Sequence, residues 1–570
     1  MDKGYRWHEQ ESLKHLFEAE MDTLKGGLNG DFTFKQQLDL EAQAGKIVVL
    51  GVLSYGAETS QDVLVVFPPT YPRRAPSIRT VSIVYHANGH PINFPTFLFY
   101  KGNQYSNGDL CLFRKEVWNS EEHSIGWVLR RAQQWLIAVN SPEGFRKDQV
   151  VEEHLPLFSP IGQVLIPRLN CIPQGAKKAN VVLKQFKPNY YVIDTNHLPT
   201  SAFSNHEVSE ELATCYFFPE GLTLKDIFPN PSLNSPHWIT GLRNAFSSHF
   251  GENALSIFNQ GLIGLHLPSE RMPWHFIKLN MAQLGNQANI SLHYFLTRIV
   301  ESELFLRISP IYDVNILATR AVTIIGLGAL GSEIACELAN SGVGIFNLFD
   351  YDTFEIGNIP RHAADISFVG ELKVEVTKKL ILRRNPNAIV NTYPVDALEH
   401  TQLLESCIKD SDLVLVMTAE EPVDYFINDV YVPQFDKPFV FARVAKGALT
   451  GVAQVVAFKK AACLRCLDLE GAGNFPKTKH DVDSLGELPP EFGSCASPAF
   501  PGAGTDSREV ALQVSRVSLQ LLLKGQAGFY PTLPGYQFYW HGPAGSDSSA
   551  PFTWEIKGLP TNAQCRICNP

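Results

Sequence analysis

The sequence predicts a multidomain α/β protein in three parts: an α+β N-terminal unit, a mixed linker, and a C-terminal unit with a doubly wound sheet. Three observations carry this. The chain has 570 residues, too many for one core. Its first 150 residues read as helix, several strands, then helix. From Val322 onward, a strand, a Gly-rich turn, a helix, a second strand and an acid follow in nucleotide-binding order.

The N-terminal unit opens with apolar residues at helical spacing: Leu13, Leu16, Phe17, Met21 and Leu24. Strands follow near Phe32–Phe34, Ile47–Leu53 and Val63–Phe67. Then comes Phe67-Pro68-Pro69-Thr70-Tyr71-Pro72, with Pro76 beyond, a density of prolines that fixes an extended, rigid turn. Gly102 to Leu112, Trp118 and a helix from about Ile125 to Ala138 complete the unit.

Tyr71-Pro72 with Pro76, and Asn103 eight residues before Cys111, resemble a ubiquitin-conjugating domain over residues 1–154. That resemblance implies thioester chemistry. Cys111 would accept an acyl group, and the Asn103 amide would stabilise the oxyanion when an amine attacks. The family's His-Pro before the Asn reads Lys101-Gly102 here.

Residues 155–300 mix strands (Val181–Phe186, Tyr190–Ile193) with loops rich in Asn, Pro and Ser, and are taken as a folded linker domain. Trp274, His275 and Lys278 are assigned structural roles. A helix is expected over about Leu292–Leu306.

In the third part, residues 301–570, the strand Val322–Ile325 runs into Gly326-Leu327-Gly328-Ala329-Leu330-Gly331 and a helix from about Ser332 to Asn340. The strand Ile345–Phe349 ends in Asp350-Tyr351-Asp352. Glycines let the backbone approach a phosphate, a helix N-terminus offers free N–H groups, and an acid near Asp350 suits a ribose hydroxyl. Asn358, Arg361, His362 and Lys373 follow closely. Counted as cations, Arg361, His362 and Lys373 suit the phosphates of ATP and a leaving pyrophosphate better than NAD.

The order Asp350, Asp352, Asn358, Arg361 resembles the ubiquitin-activating (ThiF) family, including bacterial members that adenylate sulfur-carrier proteins. The resemblance implies ATP and Mg²⁺ as cofactors. The family's Mg²⁺-holding Asp is replaced by Ala419, which leaves Glu420 or Asp424 as neighbours to serve.

Cys463-Leu464-Arg465-Cys466 and Cys565-Arg566-Ile567-Cys568 form two Cys-x-x-Cys pairs that suit a tetrahedral Zn²⁺ site. Between them, Cys495 lies in a loop of small residues and prolines ahead of a helix from about Arg508 to Leu523. The family resemblance implies that it accepts the acyl group. Cys171, Cys215, Cys336 and Cys407 are read as core thiols.

A conjugating-like unit, a linker and an activating-like unit in this order resemble the fused proteins of bacterial antiphage (CBASS) operons. The implied partners are a cGAS-like nucleotidyltransferase, whose C-terminal tail is activated, and target amines, with a homodimer through the activating-like unit. A sulfur-carrier activator or a non-catalytic scaffold are the alternatives. The net charge of −10 argues against bulk nucleic-acid binding. No uncharged apolar run reaches about 18 residues, and Met1–Gly26 lacks a signal-peptide segment, so a cytoplasmic location is expected.

Overall fold

A computed structural model describes residues 10–38, 45–85, 91–99, 104–113, 117–141, 160–193, 209–228, 237–251, 261–284, 287–457, 462–471, 502–523, 537–558 and 560–569, apart from a few positions inside these ranges.

In the N-terminal part, the helices Glu11–Lys25 and Ile125–Asn140 accompany a four-stranded antiparallel sheet. Its strands, in order, are Phe32–Leu38, Ile47–Ser54, Ser60–Phe67 and Ser77–Thr80. Helix residues Leu24, Val128, Leu129, Ala132 and Leu136 are sealed with Val49, Leu53, Val63 and Val65 in one core. Glu20 ties three elements together. Its carboxylate accepts the hydroxyl of Tyr71 and, at 3.0 Å, the N–H of Ile125. That N–H opens a helix and has no partner within it, so a buried carboxylate is tolerable there.

The middle part corrects one expectation. Its strands close into a barrel. The strand order is Ser209–Phe217, Ile263–His266, Trp274–Leu284, Gln287–Ile299, Pro160–Ile166, Tyr190–Ile193 and Lys178–Lys187, which returns to the first. Val164, Val181, Tyr191, Cys215, Trp274, Phe276 and Phe295 fill one core of the barrel. The helix His237–Phe250 covers part of the barrel through Leu242 and Phe246, against Tyr216 and Ile263. The helix expected over 292–306 is instead the strand Gln287–Ile299 followed by the short helix Val300–Glu303. Leu292 and Tyr294 repeat at period two, are buried on one face, and pair across to Leu279 and Ile277. Cross-strand partners, absent from any local window, decide between the two readings.

The C-terminal part is an eight-stranded sheet ordered Ile389–Tyr393, Ile345–Phe349, Ala321–Ile325, Leu413–Val416, Phe439–Val444, Thr450–Val456, Gln537–His541 and Thr553–Lys557. The first five are parallel and the last three join antiparallel. Every residue of Ala321–Ile325 is buried, as expected of a central parallel strand with both faces covered. The helices Ala329–Asn340 and Gly504–Leu523 contribute to one core, whereas Thr401–Asp410 and Glu421–Phe426 contribute to another. The strand order reverses between Ala321–Ile325 and Leu413–Val416. In open α/β sheets, the crevice beyond such a reversal is where ligands bind. No helix among the described residues is long and apolar enough to cross a membrane.

Candidate functional site

The Gly-rich turn lies at that reversal. Gly326 has φ +86°, which favours glycine, and a Cβ there would meet the Thr418 nitrogen at 2.8 Å. Gly331 sits in the first turn of Ala329–Asn340, where a Cβ would fall 1.9 Å from the Gly326 carbonyl oxygen. Gly328 caps that helix and has open space around its missing Cβ. So two glycines are needed to build the turn, and the third leaves room on its outer side.

Leu327, between the first two glycines, is held by both backbone groups. Its N–H donates to Asp350 Oδ2 at 2.7 Å, and its carbonyl meets His362 Nε2 at 3.0 Å. The other Asp350 oxygen accepts the N–H of Asp352 at 2.8 Å. Asp350 therefore shapes the turn with both oxygens. Burial raises its pKa, and the nearby Lys373 opposes that.

His362 requires a correction. It was counted among the phosphate-binding cations, yet it is buried and its pKa is lowered to about 4, chiefly by burial. The Ala364 N–H donates to its Nδ1 at 3.0 Å, so Nε2 carries the proton and donates to Leu327. A neutral ring fills this position.

Lys373 starts the helix Lys373–Arg384, is only 9% exposed, and meets Asp352 Oδ2 at 2.6 Å. The Asn358 side chain accepts the Glu355 N–H at 2.9 Å and so closes its own turn. Pro360 and Arg361 lie against the start of Gly504–Leu523: a Cβ on Gly504 would meet the Pro360 oxygen at 2.1 Å and Arg361 Cα at 3.5 Å. Arg508, which the sequence reading missed, reaches Glu333 at 2.7 Å and the His362 carbonyl at 3.5 Å.

The structure separates the two neighbours of Ala419. Asp424 is buried, and its pKa is raised to about 7 by burial, with Arg443 opposing; it accepts from Thr418 Oγ1 at 3.2 Å. Glu420 instead has its pKa raised by burial and then by Asp396, Asp352 and Asp350. Glu420 thus feels the negative charge of Asp396, Asp352 and Asp350, yet among the described residues no three carboxylates come close enough to share an ion; only the four paired cysteines do. Asp396 had gone unnoticed in the sequence, because only the fold brings it near.

The four paired cysteines come together. Sγ atoms of Cys463, Cys466, Cys565 and Cys568 all lie within 4.8 Å of one another and are buried. Neighbouring sulfurs are 3.8, 3.5 and 3.6 Å apart. Four Zn–S bonds of about 2.3 Å in a tetrahedron require sulfurs about 3.8 Å apart, so the set fits Zn²⁺.

In the N-terminal part, Cys111 is 6% exposed, with the Tyr105 hydroxyl 3.9 Å from its Sγ. The Gln104 amide bonds the carbonyls of Phe97 and Gly108 at 3.0 and 3.1 Å, closing the turn that leads to Cys111. Asn103 and Cys495, the other two residues assigned to acyl transfer, lie outside the described residues. Trp274 is buried in the barrel, His275 meets the Tyr294 hydroxyl at 3.1 Å, and Lys278 pairs with Glu211 at 3.2 Å. Cys215, Cys336 and Cys407 are buried and Cys171 is partly buried.

Residues 309–497 match the model of the ThiF family. The C-terminal part carries a ThiF-family domain on a Rossmann-like sheet. The chain is 30% identical over 226 residues to the uncharacterized protein y4oA of Sinorhizobium fredii, covering 36% of each chain. It is 38% identical over 108 residues to the molybdopterin-synthase adenylyltransferase of Escherichia coli, covering 19% of this chain and 43% of that enzyme. The matched stretch thus spans less than half of either curated relative. A crystal structure of E. coli MccB with AMPCPP and MccA aligns over 47% of this chain and 75% of MccB, at 18% identity and a TM-score of 0.36.

Proposed function

We propose that the chain uses ATP to activate the C-terminal carboxylate of a partner protein and passes the acyl group through two cysteines to an amine. The observation that carries this reading is the crevice itself: a Gly-rich turn at the strand reversal, with Lys373 and the acids of the Asp350–Asp352 pair beside it. In this reading Gly326, Gly328, Gly331, Asp350, Asp352 and Asn358 form the nucleotide site, and Arg361 and Lys373 face the phosphates. Mg²⁺ bound with the nucleotide would neutralise phosphate charge, with Glu420 as the nearby carboxylate.

A carboxylate oxygen of the partner attacks the α-phosphorus and pyrophosphate leaves. The Cys495 thiolate then attacks the acyl carbon and AMP leaves. Cys111 takes the acyl group by thioester exchange, and an amine finally displaces Cys111, with Asn103 steadying the oxyanion. The chain after Cys495 returns beside the crevice, since Gly502 bridges Gly447 and Gly504 packs on Pro360. The parts are residues 1–154 for conjugation, 155–300 as linker and 301–570 for activation. The partner would be a cGAS-like nucleotidyltransferase in cytoplasmic antiphage defence. A homodimer through the activating part would give twice the chain mass by light scattering at micromolar concentration, and a monomer there removes that element.

Similarity to an adenylyltransferase of molybdopterin synthase supports a second reading, in which a sulfur-carrier protein is activated and leaves as a thiocarboxylate. Cys111 has no role in it.

The test combines ATP, the nucleotidyltransferase and non-reducing electrophoresis. Arg361→Ala should abolish partner-dependent ATP–pyrophosphate exchange. Cys495→Ala should keep exchange but load nothing, and Cys111→Ala should accumulate a reducible adduct on Cys495. Full product from Cys111→Ala overturns the relay, and absence of exchange in the unmodified protein overturns adenylation.

A further inference from the structure

The loop that carries Cys463 and Cys466 is joined to the crevice beside the Gly-rich turn through the helix Glu421–Phe426. Cys463 and Cys466 bracket the start of the helix Leu464–Leu469. Three contacts join that helix to Glu421–Phe426 and the turn that continues it. Asp468 accepts the Tyr425 hydroxyl with both oxygens, each at 2.8 Å. The Arg465 guanidinium lies 4.0 Å over the Tyr425 ring and forks onto Asp429, at 3.2 and 2.8 Å. The Leu464 N–H donates to Asn428 at 2.8 Å. Arg465 sits between Cys463 and Cys466, so its fork is fixed by the same loop that would wrap an ion.

The other end of this helix borders the crevice. Asp424, next to Tyr425, accepts from Thr418 Oγ1, and Thr418 Oγ1 in turn accepts the Glu420 N–H at 3.3 Å. Between them Ala419 is held at φ +58°, a conformation that needs support from outside when the residue is not glycine. Thr418 abuts the Gly-rich turn at Gly326. A continuous set of contacts therefore runs from the four cysteines to the wall of the nucleotide site.

We propose that Tyr425 and Arg465 are positioning residues, locking the Thr418–Glu420 wall of the crevice to the four-cysteine metal loop. The ion then does more than fasten the C-terminus: its presence sets the geometry of the wall that faces ATP. This rests on the adenylation reading for its consequence, though not for the mechanical link.

Tyr425→Phe is the decisive variant, because it keeps the ring under Arg465 and removes only the bond to Asp468. Full-length protein is measured for metal content, for amide hydrogen exchange at 418–420, and for affinity for Mg²⁺-ATP. The variant should retain one zinc per chain. Exchange at 418–420 should quicken about fivefold, as expected when a local opening loses one bond that held it closed. ATP affinity should fall by a similar factor. Removing zinc from the unmodified protein should have the same effect on 418–420, and much less additional effect in the variant, because coupled changes are not additive. Unchanged exchange at 418–420 in a zinc-replete variant overturns the link, and the variant decides alone if zinc removal unfolds the chain. Unmodified protein with a protected wall but no affinity for ATP overturns the adenylation reading and leaves the link standing.

Discussion

The ring of His362 donates from Nε2 to the carbonyl of Leu327, 3.0 Å away, while Asp350 takes the N–H of the same residue at 2.7 Å. One residue of the Gly-rich turn is thus gripped from both sides, by an acid and by a neutral imidazole. Such a grip fixes the backbone of the turn without a ligand.

The same ring makes stability depend on pH: a proton on Nδ1 ends its acceptance from the Ala364 N–H, while Nε2 still donates to Leu327. The pKa of His362 is lowered from 6.5 to about 4 in the folded protein, mainly by burial. A depressed value in a base means that its contribution is complete above pH 6.5 and is lost as pH falls toward 4. A shift of that size corresponds to about 3 kcal/mol. Stability should fall between pH 6.5 and 4, and His362→Gln, whose amide can still donate to Leu327, should flatten that fall. Thermal unfolding across this range is the measurement, and an equal slope in the variant would exclude His362 as the source.

The glycines of the turn should separate by role. Gly331→Ala places a methyl 1.9 Å from a backbone oxygen that cannot step aside. It should cost about 2–4 kcal/mol and abolish ATP binding. Gly328→Ala meets nothing within 4 Å and should leave the melting temperature almost unchanged. If Gly328 exists so that phosphate can approach, that variant should still bind ATP at least tenfold more weakly, an effect of about 1.4 kcal/mol. Calorimetry on both proteins distinguishes a fold glycine from a ligand glycine.

The four cysteines should hold one zinc per chain. Cys565→Ser should lose it and lower stability by about 3 kcal/mol, or roughly 10 °C in melting temperature. Cys407→Ser, at a buried thiol that is not one of the four gathered sulfurs, should keep the metal. Elemental analysis of protein purified without chelator is the check, and metal-free unmodified protein would refute the assignment.

The lysine of the crevice should tolerate little change. Lys373 is 9% exposed and salt-bridged to Asp352 at 2.6 Å. Asp352→Asn removes the ion-pair partner of a buried ammonium, a change that costs about 3–5 kcal/mol when no other counter-charge is near, and Asp350 stays nearby. The half-exposed Asp352 end should reduce that toward the lower value. High salt should narrow the difference from the unmodified protein, and a salt-independent loss would point to packing instead.

The sequence alone determined whatever depends on neighbours along the chain. The strand–Gly-rich turn–helix–strand–acid order was legible because backbone approach to a phosphate demands glycine at fixed short spacing. The strand Ile345–Phe349 falls where its residues predicted, and the helices expected over 332–340 and 508–523 end as expected but begin at Ala329 and Gly504. Each Cys-x-x-Cys was visible as a pair because two thiols must wrap one side of an ion.

Only the tertiary structure decided which distant groups share an environment. Period two in Leu292 and Tyr294 became decisive once Leu279 and Ile277 lay opposite, turning an expected helix into a strand of a closed barrel. His362 reads as a cation by residue type and is neutral because burial removes the water that would stabilise its charge. Glu420 and Asp424 are four residues apart and equally acidic on paper. One feels the charge of Asp350, Asp352 and Asp396, while the other is buried with Thr418 and Arg443 near it. Spacing fixes which chemistry a segment can offer. Solvent exclusion and long-range contact fix the charge each group carries and the direction it faces, and these arise only when segments far apart in the chain pack together.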